Sequence, residues 1–171
     1  MHNLNTPLRF YLIGMKFLVD AMCGRLKTFL RIFGYDTVYA NDLEGIFKIS
    51  PVPDDKLAEY ALKEDRIIIT RDYPFYNKYR DRSIFLEGEG VYNYLNQLKI
   101  KLNLEYNFEM QKARCSICNS GLEKVKDKNR IINDVKSQTF KHYNNFYQCK
   151  KCKKVYWKGT HIEKIMERLK M

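Results

Sequence analysis

The chain has 171 residues, of which 45% are hydrophobic and 14% are aromatic. That composition supplies enough apolar side chains for a packed core and excludes wholesale disorder, and the length allows one domain with a small addition. The formal net charge of +11 predicts an anionic partner, with nucleic acid first and an acidic membrane surface second.

The positive charge is concentrated toward the end of the chain. Residues 1–106 contain 15 Lys and Arg against 14 Asp and Glu, whereas residues 107–171 contain 16 against 6. Four thiolates on one zinc ion would remove about two of these charges and still leave the segment strongly basic.

The start of the chain shows no targeting signal. The apolar stretch at residues 10–14 is too short for a signal peptide or a membrane helix, and Lys16 and Asp20 interrupt the run that follows. Five cysteines, four of them in CxxC pairs, are unlike a secreted disulfide framework. We therefore predict a cytoplasmic protein with no membrane partner. Residues 1–14 are expected to be a flexible extension, or to result from a start codon assigned too early.

The predicted elements alternate between strands and helices. Short apolar runs predict strands at residues 16–20, 37–40, 66–70 and 83–86. Helical spacing of apolar residues predicts helices at residues 22–33, 54–64 and 91–102, the first of them ended by Gly34. Residues 41–53 are expected to form a loop. This alternation predicts an α/β domain with a parallel sheet flanked by helices.

The pattern changes near residue 110. From there to Gly159 the sequence is basic and rich in turns, and residues 162–170 predict a closing helix. The predicted organisation is therefore an extension over residues 1–14, an α/β domain over residues 15–110, and a small second domain over residues 111–171.

The second domain contains a cysteine pattern typical of a zinc ribbon. Its two CxxC pairs, separated by thirty residues, are formed by Cys115, Cys118, Cys149 and Cys152. Each pair makes a tight turn whose thiolates can bind one structural zinc ion, and strands are expected at residues 131–132 and 146–147. The alternative, a pair of thioredoxin-like redox motifs, is less suitable because those motifs begin a helix after a strand.

Three acidic positions border the strands of the predicted sheet. Asp20 ends the first strand, Asp72 follows the third, and Asp54 or Asp55 begins the helix that leads into the third. The carboxyl ends of parallel strands form the functional edge of such sheets. Clustered carboxylates require cations, and a Mg²⁺ or Mn²⁺ site of this kind can activate water for phosphodiester cleavage.

Each of these acids also has a structural interpretation. Asp54 can be the N-cap of its helix, and Asp72 can be a turn residue paired with Arg71. Asp20 is harder to explain in this way, because an acid at the end of an apolar strand is unfavourable unless it is paired or bound to a metal. A haloacid-dehalogenase-like phosphatase is a weak alternative, since it needs a second Asp where Met22 stands. A receiver domain is also weak, because Asp20 has no acidic neighbour.

Basic and aromatic residues predict contacts with RNA. Arg25 and Arg71 are near the acidic positions in the sequence, and Lys27 and Arg31 lie with Arg25 on the first predicted helix. The second CxxC pair is surrounded by further candidates, Lys150, Lys151, Lys153, Lys154 and Trp157. Cations can hold phosphates while aromatic rings stack on bases, although a solvated or core position is the simpler interpretation for any one of these residues.

Several runs resemble the PIN-like Mut-seven C-terminal RNase family. They are FLVD at 17–20, GRL at 24–26, LRIFGYDT at 30–37, IIITRD at 67–72, RCSIC at 114–118, and the second CxxC pair followed by VYWKGTH at 155–161. The resemblance covers about residues 15–170 and implies a PIN-like fold, metal-dependent ribonuclease activity and a C-terminal zinc ribbon. The family's acids fall on Asp20, Asp54 and Asp72. Two departures are the AMC run at 21–23, where members usually have Arg, and a longer loop at 44–53.

We therefore expect a ribonuclease that depends on Mg²⁺ or Mn²⁺, is specific for single strands or for structure, and uses Asp20, Asp54 and Asp72, with a structural zinc ribbon that binds RNA. The alternative is a non-catalytic RNA-binding or ribosome-associated zinc-ribbon adaptor, in which the acids are structural. A toxin-like nuclease is a third and weaker hypothesis.

Overall fold

The structure is a computed structural model that describes residues 14–170. The predicted extension therefore lies outside the described residues except for Gly14. The described chain divides into two compact units, residues 14–27 with Asp36–Leu104 and Thr28–Tyr35 with residues 105–170. The sequence boundary near residue 110 remains a prediction, since compactness alone does not test whether either part folds independently.

The first unit is built on a four-stranded parallel sheet. Its strands, in the spatial order β2-β1-β3-β4, are β1 (Lys16–Val19), β2 (Asp36–Tyr39), β3 (Ile67–Thr70) and β4 (Ser83–Phe85). The central strands β1 and β3 are almost wholly buried, as expected for parallel strands covered on both faces. The sheet confirms the predicted α/β class.

Helices follow the strands along the chain. They are α1 (Gly24–Ile32), α2 (Glu44–Phe47), α3 (Asp54–Lys63), α4 (Tyr73–Lys78) and α5 (Val91–Leu102), of which α1 contributes residues to both units. The predicted loop at 41–53 is partly wrong, because Ala40–Leu43 form a 3₁₀ turn and α2 follows it. The segment is ordered because the side chain of Leu43 is buried in the core, which fixes the backbone around it.

The first predicted helix begins later than expected. Ala21–Cys23 form a 3₁₀ turn before α1, and Met22 is exposed instead of lying on the core face. The predicted end is confirmed, because Gly34 has a φ of +89° and lies directly beyond the helix. A Cβ atom there would lie 2.8 Å from the carbonyl oxygen of Lys112, so both the conformation and the space require glycine.

One part of the core of the first unit lies between the sheet and the helices α3 and α4. Leu18 and Ile68 of the central strands pack with Leu57 and Ala61 of α3 and with Phe75 of α4. Phe75 is therefore a core residue. Other residues of α4, such as Tyr73, are exposed to solvent.

The second unit contains a three-stranded antiparallel sheet. Its strands are β5 (Leu122–Lys124), β6 (Phe146–Cys149) and β7 (Val155–Trp157), and its helices are α6 (Ser137–His142) and α7 (Thr160–Lys170). The predicted strand at 131–132 is wrong, because Lys128–Ile131 form a 3₁₀ turn that buries Ile131 against Phe146 and Val155. A short apolar pair does not distinguish a strand from a helical turn.

No helix within residues 14–170 combines the length and the apolar character that crossing a bilayer requires.

Candidate active site and metal centre

The carboxyl ends of β1 and β3 bring Asp20 and Asp72 to one edge of the sheet. The amide of Asp20 donates a hydrogen bond to the carbonyl oxygen of Ile69 at 3.0 Å, and the residue is only 8% exposed. Thr70 Oγ1 donates to Asp20 Oδ2 at 2.6 Å and accepts a hydrogen bond from the amide of Asp72 at 2.9 Å. Thr70 therefore links the two acids and fixes one oxygen of Asp20.

Asp72 also caps α4. Its Oδ1 atom accepts a hydrogen bond from the amide of Phe75 at 2.9 Å, which satisfies a free N–H group at the helix start. The predicted turn pairing with Arg71 is wrong, because the Arg71 guanidinium lies over the ring of Tyr94, 5.6 Å from its centroid. The cap uses one carboxylate oxygen of Asp72 and holds the side chain in a defined orientation.

Asp54 is the first residue of α3, and we call Asp20, Asp72 and Asp54 together the acidic edge. The N-cap interpretation of Asp54 is wrong, because Pro53 occupies the cap position in an extended conformation and Asp54 is the first helical residue. Burial, followed by the negative charges of Asp72, Asp20 and Asp55, raises the pKa of the Asp54 carboxyl. This repulsion means that the Asp54 carboxylate lies within electrostatic reach of Asp20 and Asp72.

Asp55, the neighbouring candidate, has a different environment. Its Oδ1 atom accepts hydrogen bonds from Lys78 Nζ at 2.6 Å and from the Tyr79 hydroxyl at 2.5 Å. These hydrogen bonds lower the pKa of Asp55. Asp55 is thus already paired with a cation, whereas Asp54 shares the edge with other acids.

The acidic edge suits a hard divalent cation, although its carboxylates are less tightly grouped than the cysteines. Among residues 14–170, only the four cysteines bring three or more potential ligand atoms of His, Cys, Asp or Glu within 4.8 Å of one another. The edge supplies oxygen ligands whose negative charges repel one another, which is the donor set that Mg²⁺ and Mn²⁺ prefer. Mg²⁺ usually keeps several waters, so a wider arrangement of carboxylates is compatible with it.

Two further candidate side chains follow Asp20 closely in the chain. Arg25, the second residue of α1, is exposed. Cys23 is buried, and its burial, with a smaller contribution from the Asp20 charge, raises the pKa of the thiol to about 11. Cys23 is therefore a neutral packing residue.

The four predicted zinc ligands come together in the second unit. The sulfurs of Cys115 and Cys152 are 3.4 Å apart, as are those of Cys118 and Cys149, and all four lie within 4.8 Å of one another. Zn–S bonds of about 2.3 Å in a tetrahedron place the sulfurs about 3.8 Å apart. The group is therefore of the right type and size to hold zinc, and the predicted four-cysteine ribbon is confirmed.

The two CxxC turns direct N–H groups toward their sulfurs. The amide of Cys118 donates to Cys115 Sγ at 3.5 Å, and the amide of Cys152 donates to Cys149 Sγ at 3.4 Å. The hydroxyl of Tyr156, on β7, lies 3.0 Å from Cys115 Sγ and accepts a hydrogen bond from the amide of Ser116 at 3.1 Å. These groups orient the first CxxC turn and stabilise negative charge on its sulfur.

The four thiols differ in how readily they ionise. Burial raises the pKa of Cys118, but hydrogen bonds with Ser120 and with the sulfurs of Cys149 and Cys115 lower it to about 6. A backbone hydrogen bond lowers the pKa of Cys152, but burial and hydrogen bonds to the other three sulfurs raise it to about 12. A divalent cation stabilises all four thiolates at once, which is why such sites couple metal binding to folding.

Arg31 was predicted as an RNA-contacting cation of the first helix, but it is buried and supports the cysteine turn instead. It lies on α1, is 0% exposed, and donates from one guanidinium nitrogen to the carbonyl oxygens of Ser116 and Ile117 at 2.9 and 3.0 Å. The amide of Arg114 also donates to the carbonyl oxygen of Arg31 at 2.8 Å. The only signal in the sequence was that Arg31 interrupts an apolar run.

The predicted RNA-binding residues of the ribbon lie on its surface. Lys150, Lys151, Lys153 and Lys154 are exposed, whereas Trp157 is half-buried, with ring centroids 6.2 Å from both Tyr143 and Phe146. The structure adds cations that the sequence analysis missed. A groove of about 490 Å³ is lined by four basic side chains, Lys124, Lys126, Arg130 and Lys153, together with Glu123 and uncharged residues. Three of the four basic residues are distant from the second CxxC pair in sequence, so only the folded sheet groups them.

Comparison with known proteins gives one family. A family model described as the Mut7-C RNAse domain matches residues 15–169, a range that contains the acidic edge and all four cysteines. Searches of curated proteins and of solved structures each found no match.

Proposed function

Because the chain belongs to the Mut7-C RNAse domain family, we propose that it is a metal-dependent ribonuclease that hydrolyses RNA phosphodiester bonds at its acidic edge. The catalytic residues of this proposal are Asp20, Asp54 and Asp72. The observation that supports it most is the hydrogen-bonded chain from Asp20 through Thr70 to Asp72, with Asp54 in electrostatic reach. A structural role alone does not explain three acids at one edge, since they repel one another.

The chain's own residues provide a rigid, negatively charged edge for this chemistry. The three aspartates would hold Mg²⁺ or Mn²⁺, which would supply positive charge to activate water and to neutralise the leaving oxygen. Thr70 fixes Oδ2 of Asp20, and the α4 cap fixes Oδ1 of Asp72, so that the other oxygen of each carboxylate is oriented. Arg25 and Arg71 would bind phosphate groups of the RNA near this edge.

The ribbon would bind RNA through its positive charge. Its cysteines would hold zinc as a structural ion, while the exposed lysines around the second CxxC pair contact phosphates. Reduced thiols are required for zinc binding, which suits the cytoplasm. The concentration of basic charge in residues 107–171 also favours a second candidate function, an RNA-binding or ribosome-associated adaptor without catalysis.

The decisive experiment compares variants of single aspartates on a labelled RNA in Mn²⁺ or Mg²⁺. We expect Asp20→Asn to slow cleavage by about 100-fold or more, because even residues that only support a metal ligand contribute about 10- to 100-fold. Asp54→Asn should be similarly impaired. Asp55→Asn is the matched control, one residue away, and should retain activity because Asp55 is paired with Lys78 and Tyr79.

Equal cleavage by the wild-type protein and Asp20→Asn would exclude the acidic edge as the catalytic site. Tight RNA binding without cleavage by any form of the protein would instead support the adaptor.

A further inference from the structure

An exposed tyrosine lies beside the acidic edge. Tyr73 directly follows Asp72 and is the first residue of α4, and it is 56% exposed. Consecutive Cα atoms are about 3.8 Å apart, so the ring is attached one residue from a proposed catalytic acid. Neither the proposed hydrolysis nor the core packing accounts for an exposed ring at this position.

The Tyr73 ring packs against two other aromatic side chains. It packs edge-on against Phe85 with centroids 5.5 Å apart, and it lies 6.1 Å from Tyr76, which is itself 5.6 Å from Phe85. Phe85 ends β4 and is paired in register with Thr70, the residue that hydrogen-bonds Asp20. The three rings therefore belong to the same edge of the sheet as the acids.

Positive charge lies next to these rings. The Arg80 guanidinium is 5.6 Å from the centroid of the Tyr76 ring, and Arg80 is exposed. A supported flat ring beside a cation is the combination with which proteins bind single-stranded nucleic acid, because the ring stacks on a base while the cation holds a phosphate. Bases of a duplex are already stacked on their neighbours, so this arrangement favours unpaired bases.

We propose that Tyr73 stacks on an unpaired base of the RNA bound at the acidic edge, and that the substrate is therefore single-stranded. Tyr76 and Phe85 position the ring, and Arg80 holds a neighbouring phosphate. This proposal rests on the proposed function for the identity of the nucleic acid, but stacking is measured by binding and not by cleavage.

The test uses the full chain carrying Asp20→Asn, so that RNA is not degraded during titration. In this background Tyr73→Leu keeps an apolar contact with Phe85 but removes the aromatic face. We expect its affinity for a single-stranded RNA to fall by about 5- to 150-fold. Tyr73→Phe, which removes only the hydroxyl, should bind within about twofold of the parent. Ile100→Ala, at a 75% exposed position on α5, is the control and should have no effect.

Two further measurements separate stacking from general loss of binding. The Tyr73→Leu affinity for duplex RNA should be nearly unchanged, and the dependence of affinity on salt should keep its slope because the ring carries no charge. The double variant Tyr73→Trp with Trp157→Phe carries a single Trp, since the chain has only one. Its fluorescence should be quenched by single-stranded RNA and not by duplex.

The stacking proposal would be overturned if Tyr73→Leu bound single-stranded RNA as tightly as the parent. It would also be overturned if Tyr73→Leu lost equal affinity for single-stranded and duplex RNA. If circular dichroism shows that Tyr73→Leu is misfolded, the fluorescence measurement decides, and unquenched fluorescence with single-stranded RNA overturns the proposal. Cleavage by Asp20→Asn would refute the acidic edge, and the binding comparisons would then be made without added Mg²⁺ or Mn²⁺ so that the RNA stays intact.

Discussion

Asp54 and Asp55, adjacent in the chain, illustrate how the fold assigns different properties to identical side chains. Burial and the charges of Asp72 and Asp20 raise the pKa of Asp54, whereas hydrogen bonds from Lys78 and Tyr79 lower that of Asp55. Successive positions on a helix point in directions about 100° apart, so one residue faces the other acids and its neighbour faces a lysine.

This difference predicts opposite effects on stability in the absence of Mg²⁺ and Mn²⁺. An acid whose pKa is raised on folding is less favourable when ionised, so its charge reduces stability as pH rises above its ordinary value of 3.8. We expect Asp54→Asn to raise the melting temperature of the zinc-loaded protein at neutral pH without added Mg²⁺ or Mn²⁺. Solvent screens this exposed carboxyl, so the gain in unfolding free energy should be small, about 0.5 kcal/mol. It should disappear below the ordinary pKa of aspartate, where wild-type Asp54 is protonated in both states.

Asp55→Asn provides the comparison for this prediction. Its lowered pKa contributes stability above the ordinary value, so its replacement should lower the melting temperature at neutral pH. Thermal unfolding between acidic and neutral pH measures both variants. Identical pH profiles for the two would mean that Asp54 does not experience the other acids.

At the level of elements, α1 supports the first CxxC turn through Arg31. The turn exposes backbone carbonyl groups that the ribbon itself does not satisfy, and the buried guanidinium donates to two of them. A buried polar group without its partner is destabilising, so this contact links the stability of the metal centre to an element far earlier in the chain.

We expect Arg31→Met to weaken the zinc site. Removing the donor leaves the Ser116 and Ile117 carbonyls unsatisfied, at about 1–3 kcal/mol for each buried group. The variant should release zinc to a chelating dye faster than wild type and should unfold at lower denaturant. Arg25→Met, at an exposed position of the same helix, should match wild type in both measurements. Zinc release at the wild-type rate from Arg31→Met would show that the turn is held by the ribbon alone.

At the scale of the whole molecule, the distribution of positive charge determines which surface binds a polyanion such as RNA. The total of +11 resides mainly in residues 107–171, where the lysines around the second CxxC pair are exposed. Binding through phosphate contacts releases counterions, so affinity falls with salt in proportion to the number of contacts.

The salt dependence of RNA affinity therefore tests which surface binds. Replacing Lys150, Lys151 and Lys154 by Gln should reduce the slope of log affinity against log salt by up to about 2, at about 0.7 for each contact with a single strand. Replacing Lys48, Lys63 and Lys99 removes the same charge from the first unit and should leave the slope nearly unchanged. Equal slopes for both triple variants would show that RNA is attracted by net charge and not by the ribbon.

Much of the fold was predictable because its signals are local. Buried parallel strands appear as continuous apolar runs, which is why β1 and β3 were located within a residue, and α5 was predicted with its observed bounds. Ile131 was assigned to a strand instead of a 3₁₀ turn, because a run of two apolar residues is too short to show the periodicity of either structure. Tyr73 and Thr70 were missed because their importance depends on which residues surround them.

The sequence by itself determined the alternation of strands and helices, the two CxxC pairs and the uneven charge, since each depends on composition or on short spacings. Only the tertiary structure decided that Thr70 joins Asp20 to Asp72, that the charges of these acids reach Asp54 while Asp55 is paired with Lys78, and that Arg31 is buried at the cysteine turn. These relations join residues up to 86 positions apart. They arise when apolar burial brings distant segments together, and polar groups must then find partners in the surroundings that result.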